Sequence, residues 1–205
     1  MYKKLVLSFL LILSLSLVLT GCFSSPVNNT GTDQDIGDNT NDNLVWQEFT
    51  GDYFSISYPA EWQYDSDTTD LGSEGKMHFY AFAEQVDFSK EIVQKPVGMV
   101  VYEPNWFDRI ETTKSQEDYL EQEWNNDIDY YKSEDRFVSK DKYELDGKMA
   151  FEVVYNNKEE GTREKYVSTY DGKDLYGIYF IENQSEFADT KQLGEKLIDS
   201  FKFVN

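Results

Sequence analysis

Few residue types in this 205-residue chain can make or break a bond. Cysteine occurs once, at Cys22, and histidine once, at His78. One cysteine excludes an internal disulfide, and one histidine excludes a three-histidine metal site and any histidine relay. The chain contains no Gly-x-Ser-x-Gly elbow, no phosphate-cradling Gly-rich loop, no Gly-x-Gly-x-x-Gly turn and no His-Glu-x-x-His helix. The enzyme chemistry left is that of carboxylates, since two suitably spaced acids cleave a glycoside. Asp and Glu number 39 against 19 Lys and Arg, a formal charge of −20, and no pattern singles out one acid pair. That charge argues against a nucleic-acid partner, whose phosphates would be repelled rather than neutralised. No cofactor and no metal-ligand set is read from the sequence.

Two further features bear on binding. His78 alternates with Tyr80 and Phe82 on one strand face, which predicts a satisfied, partly buried imidazole rather than a catalytic base. The run Glu103-Pro104-Asn105-Trp106-Phe107-Asp108 places two large aromatics in a loop. Trp106 and Phe107 are candidate partner-binding residues, because exposed Trp and Phe offer apolar area at little entropic cost. The alternative is that they tuck beneath the loop and cap the core.

Cys22 belongs to a different chemistry. Met1 to Lys4 carry two positive charges, and Leu5 to Leu19 form a run of 15 apolar and serine residues. A spanning helix needs about 20 apolar residues, so this run is short for a permanent anchor and suits a cleaved secretory leader over residues 1–21. Leu19-Thr20-Gly21-Cys22 resembles the bacterial lipobox. The resemblance implies signal-peptidase recognition through Leu19, Thr20 and Gly21, and lipidation of Cys22 as the first mature residue. Each buried CH₂ contributes about 0.8 kcal/mol, so two or three acyl chains such as palmitate anchor a protein stably where one is marginal. The expected location is the bacterial cell membrane or envelope, on the extracytoplasmic side, with the bilayer engaged through acylated Cys22. Loss of Lys3 and Lys4 with the leader makes the mature charge −22, which anionic headgroups repel.

The next stretch reads as a spacer. Of the 21 residues from Phe23 to Asn43, 16 are Ser, Thr, Asn, Asp or Gly, with no Lys or Arg. Residues 22–43 are thus read as the lipidated cysteine and a disordered acidic linker, a coil on the order of 25 Å across. Asp33, Asp35, Asp38 and Asp42 do not make a calcium loop, because counting from Asp33 puts Asp38 where the EF-hand pattern needs glycine.

Residues 44–205 form one candidate domain. Phe54, Ile56 and Tyr58 alternate with serines in a strand ended by Pro59. Lys76 to Glu84 and Val97 to Tyr102 are apolar on both faces and predict central strands. Asp146-Gly147 joins Tyr143–Leu145 to the strand carrying Met149, Phe151, Val153 and Tyr155. Asp171-Gly172 joins Arg163–Tyr170 to Leu175–Ile181, so three consecutive strands predict an antiparallel meander. Ser115 with Asp118 three places on starts a helix whose stripe is Leu120, Trp124 and Ile128. A second helix begins near Ser185 and aligns Leu193, Leu197, Ile198 and Phe201, and Trp62 and Trp124 are core candidates. Two helices and about six strands define an α+β domain with its helices packed on a mainly antiparallel sheet.

This order of motifs resembles the PsbP-like family. Phe54-Ser55-Ile56-Ser57-Tyr58-Pro59-Ala60-Glu61-Trp62 looks like the family's opening strand and Pro-x-x-Trp turn, and Glu117 to Trp124 like its middle helix. Tyr143 to Tyr155 looks like its hairpin, and Leu197-Ile198-Asp199-Ser200-Phe201-Lys202 like its closing helix and Ser-Phe ending. The resemblance spans about residues 46–204 and implies an α/β/α sandwich. The photosystem subunits that name the family are extrinsic proteins of the oxygen-evolving complex. Nothing in this chain indicates photosynthesis, and its lipobox and acidic linker resemble instead bacterial lipoproteins carrying such a domain. The expectation is a non-catalytic binding or assembly domain whose partner is an envelope protein or small ligand. A carboxylate-dependent envelope glycan hydrolase and a divalent-cation-responsive binder are the rivals.

Overall fold

Long strands with alternating or wholly apolar character must find each other to bury their faces, and here they do so in one sheet. The computed structural model describes residues 44–72 and 75–204. The elements are β1 (Trp46–Thr50), β2 (Phe54–Pro59), β3 (Gln63–Asp70), β4 (Lys76–Ala83), β5 (Val86–Asp87), β6 (Ile92–Val93), β7 (Val97–Glu103), α1 (Gln116–Ser133), β8 (Phe137–Leu145), β9 (Lys148–Asn157), β10 (Thr162–Asp171), β11 (Asp174–Asn183), α2 (Phe187–Asp199) and β12 (Lys202–Phe203). Seven strands pair antiparallel in the order β3-β4-β7-β11-β10-β9-β8, and β1-β2-β12 form a second sheet. The architecture is α+β, with mainly antiparallel strands and two helices.

The meander expected from the two Asp-Gly turns is present as β8–β11. Asp146 and Gly147 both adopt positive φ, at 46° and 78°. This is the backbone of a type I′ hairpin, which an Asp-Gly pair tolerates better than most sequences. The sequence reading of about six strands is corrected upward, to twelve among the described residues. The additions lack apolar alternation: β3 carries Asp65, Asp67 and Asp70 along a sheet edge, and β5, β6 and β12 are two residues each.

The register assigns the layers. Phe151, Val153 and Tyr155 of β9 pack against Leu120, Trp124 and Ile128 of α1, the stripe read from the sequence. Ser115 caps this helix, its Oγ accepting the Asp118 N–H at 3.1 Å. The intervening residues of the same strands face the other way. There, Phe49, Phe54 and Tyr58 of the small sheet meet Tyr80 and Phe82 of β4, and α2 lies over β11.

Two glycines set how closely α2 seats on the sheet. A Cβ on Gly194 would stand 2.5 Å from Phe180 Cδ1, and a Cβ on Gly98 would collide with the Leu197 side chain. Phe180 and Leu197 are fully buried, so neither has free space to yield. Gly194→Ala is expected to destabilise by about 1 to 3 kcal/mol through overpacking, despite the better helix propensity of alanine. Denaturant unfolding that shows Gly194→Ala at or above wild-type stability would refute this account of the helix seat.

Candidate functional site

Cys22 and its flanking Leu19, Thr20 and Gly21 lie outside the described residues, as does the linker at residues 23–43. Trp106 and Phe107 lie at the start of a single 3-10 turn, Phe107–Arg109, and both are half-buried. Asp174 anchors their loop: it accepts the Tyr102 hydroxyl at 2.8 Å and the Asn105 N–H at 2.7 Å. The anchored loop seats Trp106 edge-on against Tyr119 of α1, with ring centroids 5.5 Å apart, beside the Leu120–Trp124 cluster. The loop thus joins the two aromatics to the core layer while leaving part of each exposed.

His78 is half-buried, as expected, on the face of Tyr80 and Phe82. Its Nδ1 bonds the Thr68 hydroxyl at 3.0 Å, and its ring lies beside the stacked rings of Tyr53 and Tyr102, with centroids 5.8 and 5.6 Å away. Burial, aided by nearby Lys76, lowers its pKa and keeps the imidazole neutral. Tyr102, the closest phenol with a carboxylate partner, is held protonated by burial and by Asp174. The cluster carries neither an exposed nucleophile nor a charged base.

A concavity lies elsewhere, where α2 stops short of the sheet edge. Because α2 covers β11, the same face of β10, β9 and β8 is open, and a groove of about 580 Å³ runs along it. Its floor includes Asp141, Tyr143, Glu152, Arg163 and Lys165, and its wall is the α2 side with Phe187, Lys191, Glu195 and Asp199. Lys165 is 7% exposed, with Val154 and Phe180 as its cross-strand neighbours. Its ammonium pairs with Glu152 at 3.3 Å and reaches Glu195 at 3.9 Å. Tyr143 points its hydroxyl at Glu152 from 3.5 Å, and burial followed by the charges of Glu152 and Asp199 holds that phenol protonated. Arg163 Nε donates to Asn156 Oδ1 at 2.9 Å with its guanidinium over the Phe187 ring, and Lys191 pairs with Glu195 at 3.4 Å.

Sequence reasoning did not find this groove. Its one local signal was a charged residue, Glu152, inside the apolar run from Met149 to Tyr155. The partner that makes Glu152 meaningful, Lys165, becomes its neighbour only through β9–β10 pairing. Among the described residues, no group of three or more His, Cys, Asp or Glu is arranged to hold a metal ion.

The solution structure of cyanobacterial PsbP from Synechocystis sp. PCC 6803 aligns with a TM-score of 0.53 and 11% identity, covering 85% of this chain and 98% of that one. A Pseudomonas aeruginosa protein of unknown function aligns with a TM-score of 0.39 and 8% identity, over 76% of this chain and 94% of that one. No protein-family model and no curated protein matches the sequence. The domain therefore has a PsbP-like α+β fold, and the first of these likenesses establishes the fold alone.

Proposed function

We propose that the protein is a lipid-anchored lipoprotein on the extracytoplasmic side of a bacterial membrane, whose PsbP-like domain binds or assembles with an envelope protein or small ligand and does not catalyse. The observation that carries the non-catalytic reading is the state of the groove's three cations. Lys165 and Lys191 are held by carboxylates and Arg163 by an amide. A site wired in this way offers a fixed pattern of charge and apolar surface for recognition, and its groups are not poised to exchange protons. The finer architecture, an α/β/α sandwich, is supported by the two helices meeting opposite residue parities of the same strands. The tether reading rests on Leu19-Thr20-Gly21-Cys22. No helix among the described residues is long and apolar enough to cross a membrane.

Cys22→Ala is expected to move the protein from the membrane fraction to the soluble fraction. Retention on the membrane after cleavage of the leader would remove the tether from the proposal. One observation favours the glycan-hydrolase reading: Asp141 and Glu152 on the sheet face Glu195 and Asp199 on α2 across the groove. Lys165 stands between Glu152 and Glu195, however, so each carboxylate meets a cation before it meets the other. Soluble cell-wall fragments incubated with the purified protein are expected to stay intact. Turnover that disappears in Glu152→Gln would replace binding with hydrolysis. Thermal unfolding in calcium against sodium at equal ionic strength tests the cation-responsive rival, and equal melting temperatures would dismiss it.

A further inference from the structure

The edge of a sheet is where another chain can join it, because an outer strand shows a row of N–H and C=O groups that no strand answers. Strands β3 and β8 are the outer strands of the seven-stranded sheet, and β12 is an outer strand of the small one. Lysine and proline are the usual guards of such edges, and here they do not serve. Strand β3 has neither. Strand β8 has Lys140 and Lys142, but both are turned to α1: Lys142 pairs with Glu117 and Glu121 at 3.3 and 3.0 Å, and Lys140 lies over the Trp124 ring at 4.8 Å.

Pairing register fixes which backbone groups face outward, since antiparallel residues alternate between bonding the partner strand and bonding nothing in it. The two-residue turn Asp146-Gly147 makes Leu145 and Lys148 a bonded pair, so Asp141 and Tyr143 also bond β9 while Lys142 and Glu144 face outward. On β3, the Leu71 N–H donates to the Gly75 carbonyl, which turns Asp65 and Asp67 to β4 and Ser66 and Thr68 outward. On β12, the Val204 N–H donates to the Tyr53 carbonyl, which leaves Phe203 outward. Four of these outward N–H groups meet an aspartate. Asp65 Oδ1 accepts from Ser66 at 2.8 Å, Asp67 Oδ1 from Thr68 at 2.7 Å, Asp141 Oδ1 from Lys142 at 2.8 Å, and Asp146 Oδ2 from Phe203 at 2.9 Å. Asp65 adds a second cover, because its Oδ2 accepts the Phe88 N–H at 2.7 Å and holds the 3-10 turn Phe88–Lys90 beside the same edge.

We propose that Asp65, Asp67, Asp141 and Asp146 close these outer strands to strand addition, so that copies of this chain do not pair edge to edge. A strand arriving at β3, β8 or β12 must aim its carbonyl oxygens at the outward N–H groups. At these four positions it finds a carboxylate in the place its own oxygen needs. Displacing that carboxylate takes a hydrogen bond from an anion and traps the charge beneath the added strand, where it is poorly solvated. The placement matters as much as the charge. An aspartate one residue ahead of the outward N–H keeps its own backbone in the sheet and reaches round to the edge with its side chain.

The test is sedimentation of the full chain over a concentration series, with two double variants at the exposed Asp67 and Asp141. Wild type is expected to sediment as a monomer. Asp67→Thr with Asp141→Thr removes one acceptor from each edge of the large sheet and puts a strand-favouring residue in its place. Its mass is expected to rise with concentration to twice that of wild type or more. Asp67→Asn with Asp141→Asn loses the same two charges but keeps a side-chain oxygen for each N–H, and it is expected to stay monomeric. A threonine variant that stays monomeric overturns the cover, and so does an asparagine variant that associates equally, because net charge would then be the cause. Amide exchange of wild type reads the same device without a variant. After correction for intrinsic rates, the Ser66, Thr68 and Lys142 N–H groups must exchange more slowly than the outward N–H of Glu144. Equal rates overturn the cover as well.

Discussion

Between about pH 10.5 and 11.5 the domain is expected to unfold in one cooperative step, with tyrosinate absorbance appearing in that step and not before it. Tyr102, Tyr155, Tyr176 and Tyr179 are 3, 4, 3 and 8% exposed, and burial is the leading cause that raises the pKa of each. Carboxylates add to it: Tyr155 donates to Glu164 at 2.6 Å, and Tyr102 donates to Asp174 at 2.8 Å. The native state keeps these protons above pH 10, where the unfolded chain releases them, so stability falls as the pH climbs. Each such phenol removes about 1.4 kcal/mol per pH unit, and four remove roughly 5 to 6 kcal/mol by pH 11. A domain holds only about 5 to 15 kcal/mol in total, so no other interaction has to fail first. Absorbance at 295 nm and far-ultraviolet circular dichroism recorded on one titration decide the matter. Gradual phenol ionisation near pH 10 with secondary structure intact would show that these rings are less sequestered than their burial implies.

Lys165→Met carries the second large effect, a loss of about 3 kcal/mol and a melting temperature lower by roughly 6 to 12 °C. The change leaves Glu152, whose side chain is 12% exposed, facing Val154 and the α2 wall without its cation. The cost comes from the stranded anion more than from the lost attraction. Adding Glu152→Leu to Lys165→Met is therefore expected to recover most of it, because a well-packed apolar pair is often as stable as a buried ion pair. Lys191→Met removes another partner of the same cluster, but its side chain is 58% exposed, and it should change stability little. Urea unfolding of these variants tests the ranking. A Lys191→Met loss equal to that of Lys165→Met would mean that the groove is solvated throughout.

What could be read from the sequence depended on whether one segment contained its own signal. The stripe Leu120–Trp124–Ile128 and the Ser115 cap lie within one helix and needed no tertiary knowledge. Asp146-Gly147 encodes its hairpin locally, and β4 and β7 announce their central places by being apolar on both faces. Strand β3 was opaque because an edge strand needs no apolar alternation; it is held by its pairing to β4, from Gln63↔Ala83 to Asp70↔Lys76. The end of α2 differs in a similar way. Phe201 fits the helical stripe in the sequence, yet the helix stops at Asp199 and Phe201 is buried against Phe54 beyond it. The groove was illegible because it depends on residues from different elements, with the pairing register deciding which charges meet.

Strand β12 closes on β2. Lys202 and Phe203 pair with Ser55 and Phe54, the Phe203 N–H donates to Asp146 Oδ2 at 2.9 Å, and the Val204 N–H donates to the Tyr53 carbonyl at 3.1 Å. Contacts that bridge nearly the whole domain raise its contact order, and loop-closure entropy must be met before they give any return. A chain delivered amino end first must therefore expose that edge of β2 until Lys202 and Phe203 have emerged. Lys202, Phe203 and Val204 are thus a clasp on β2 that can close only after the strands before it have been made.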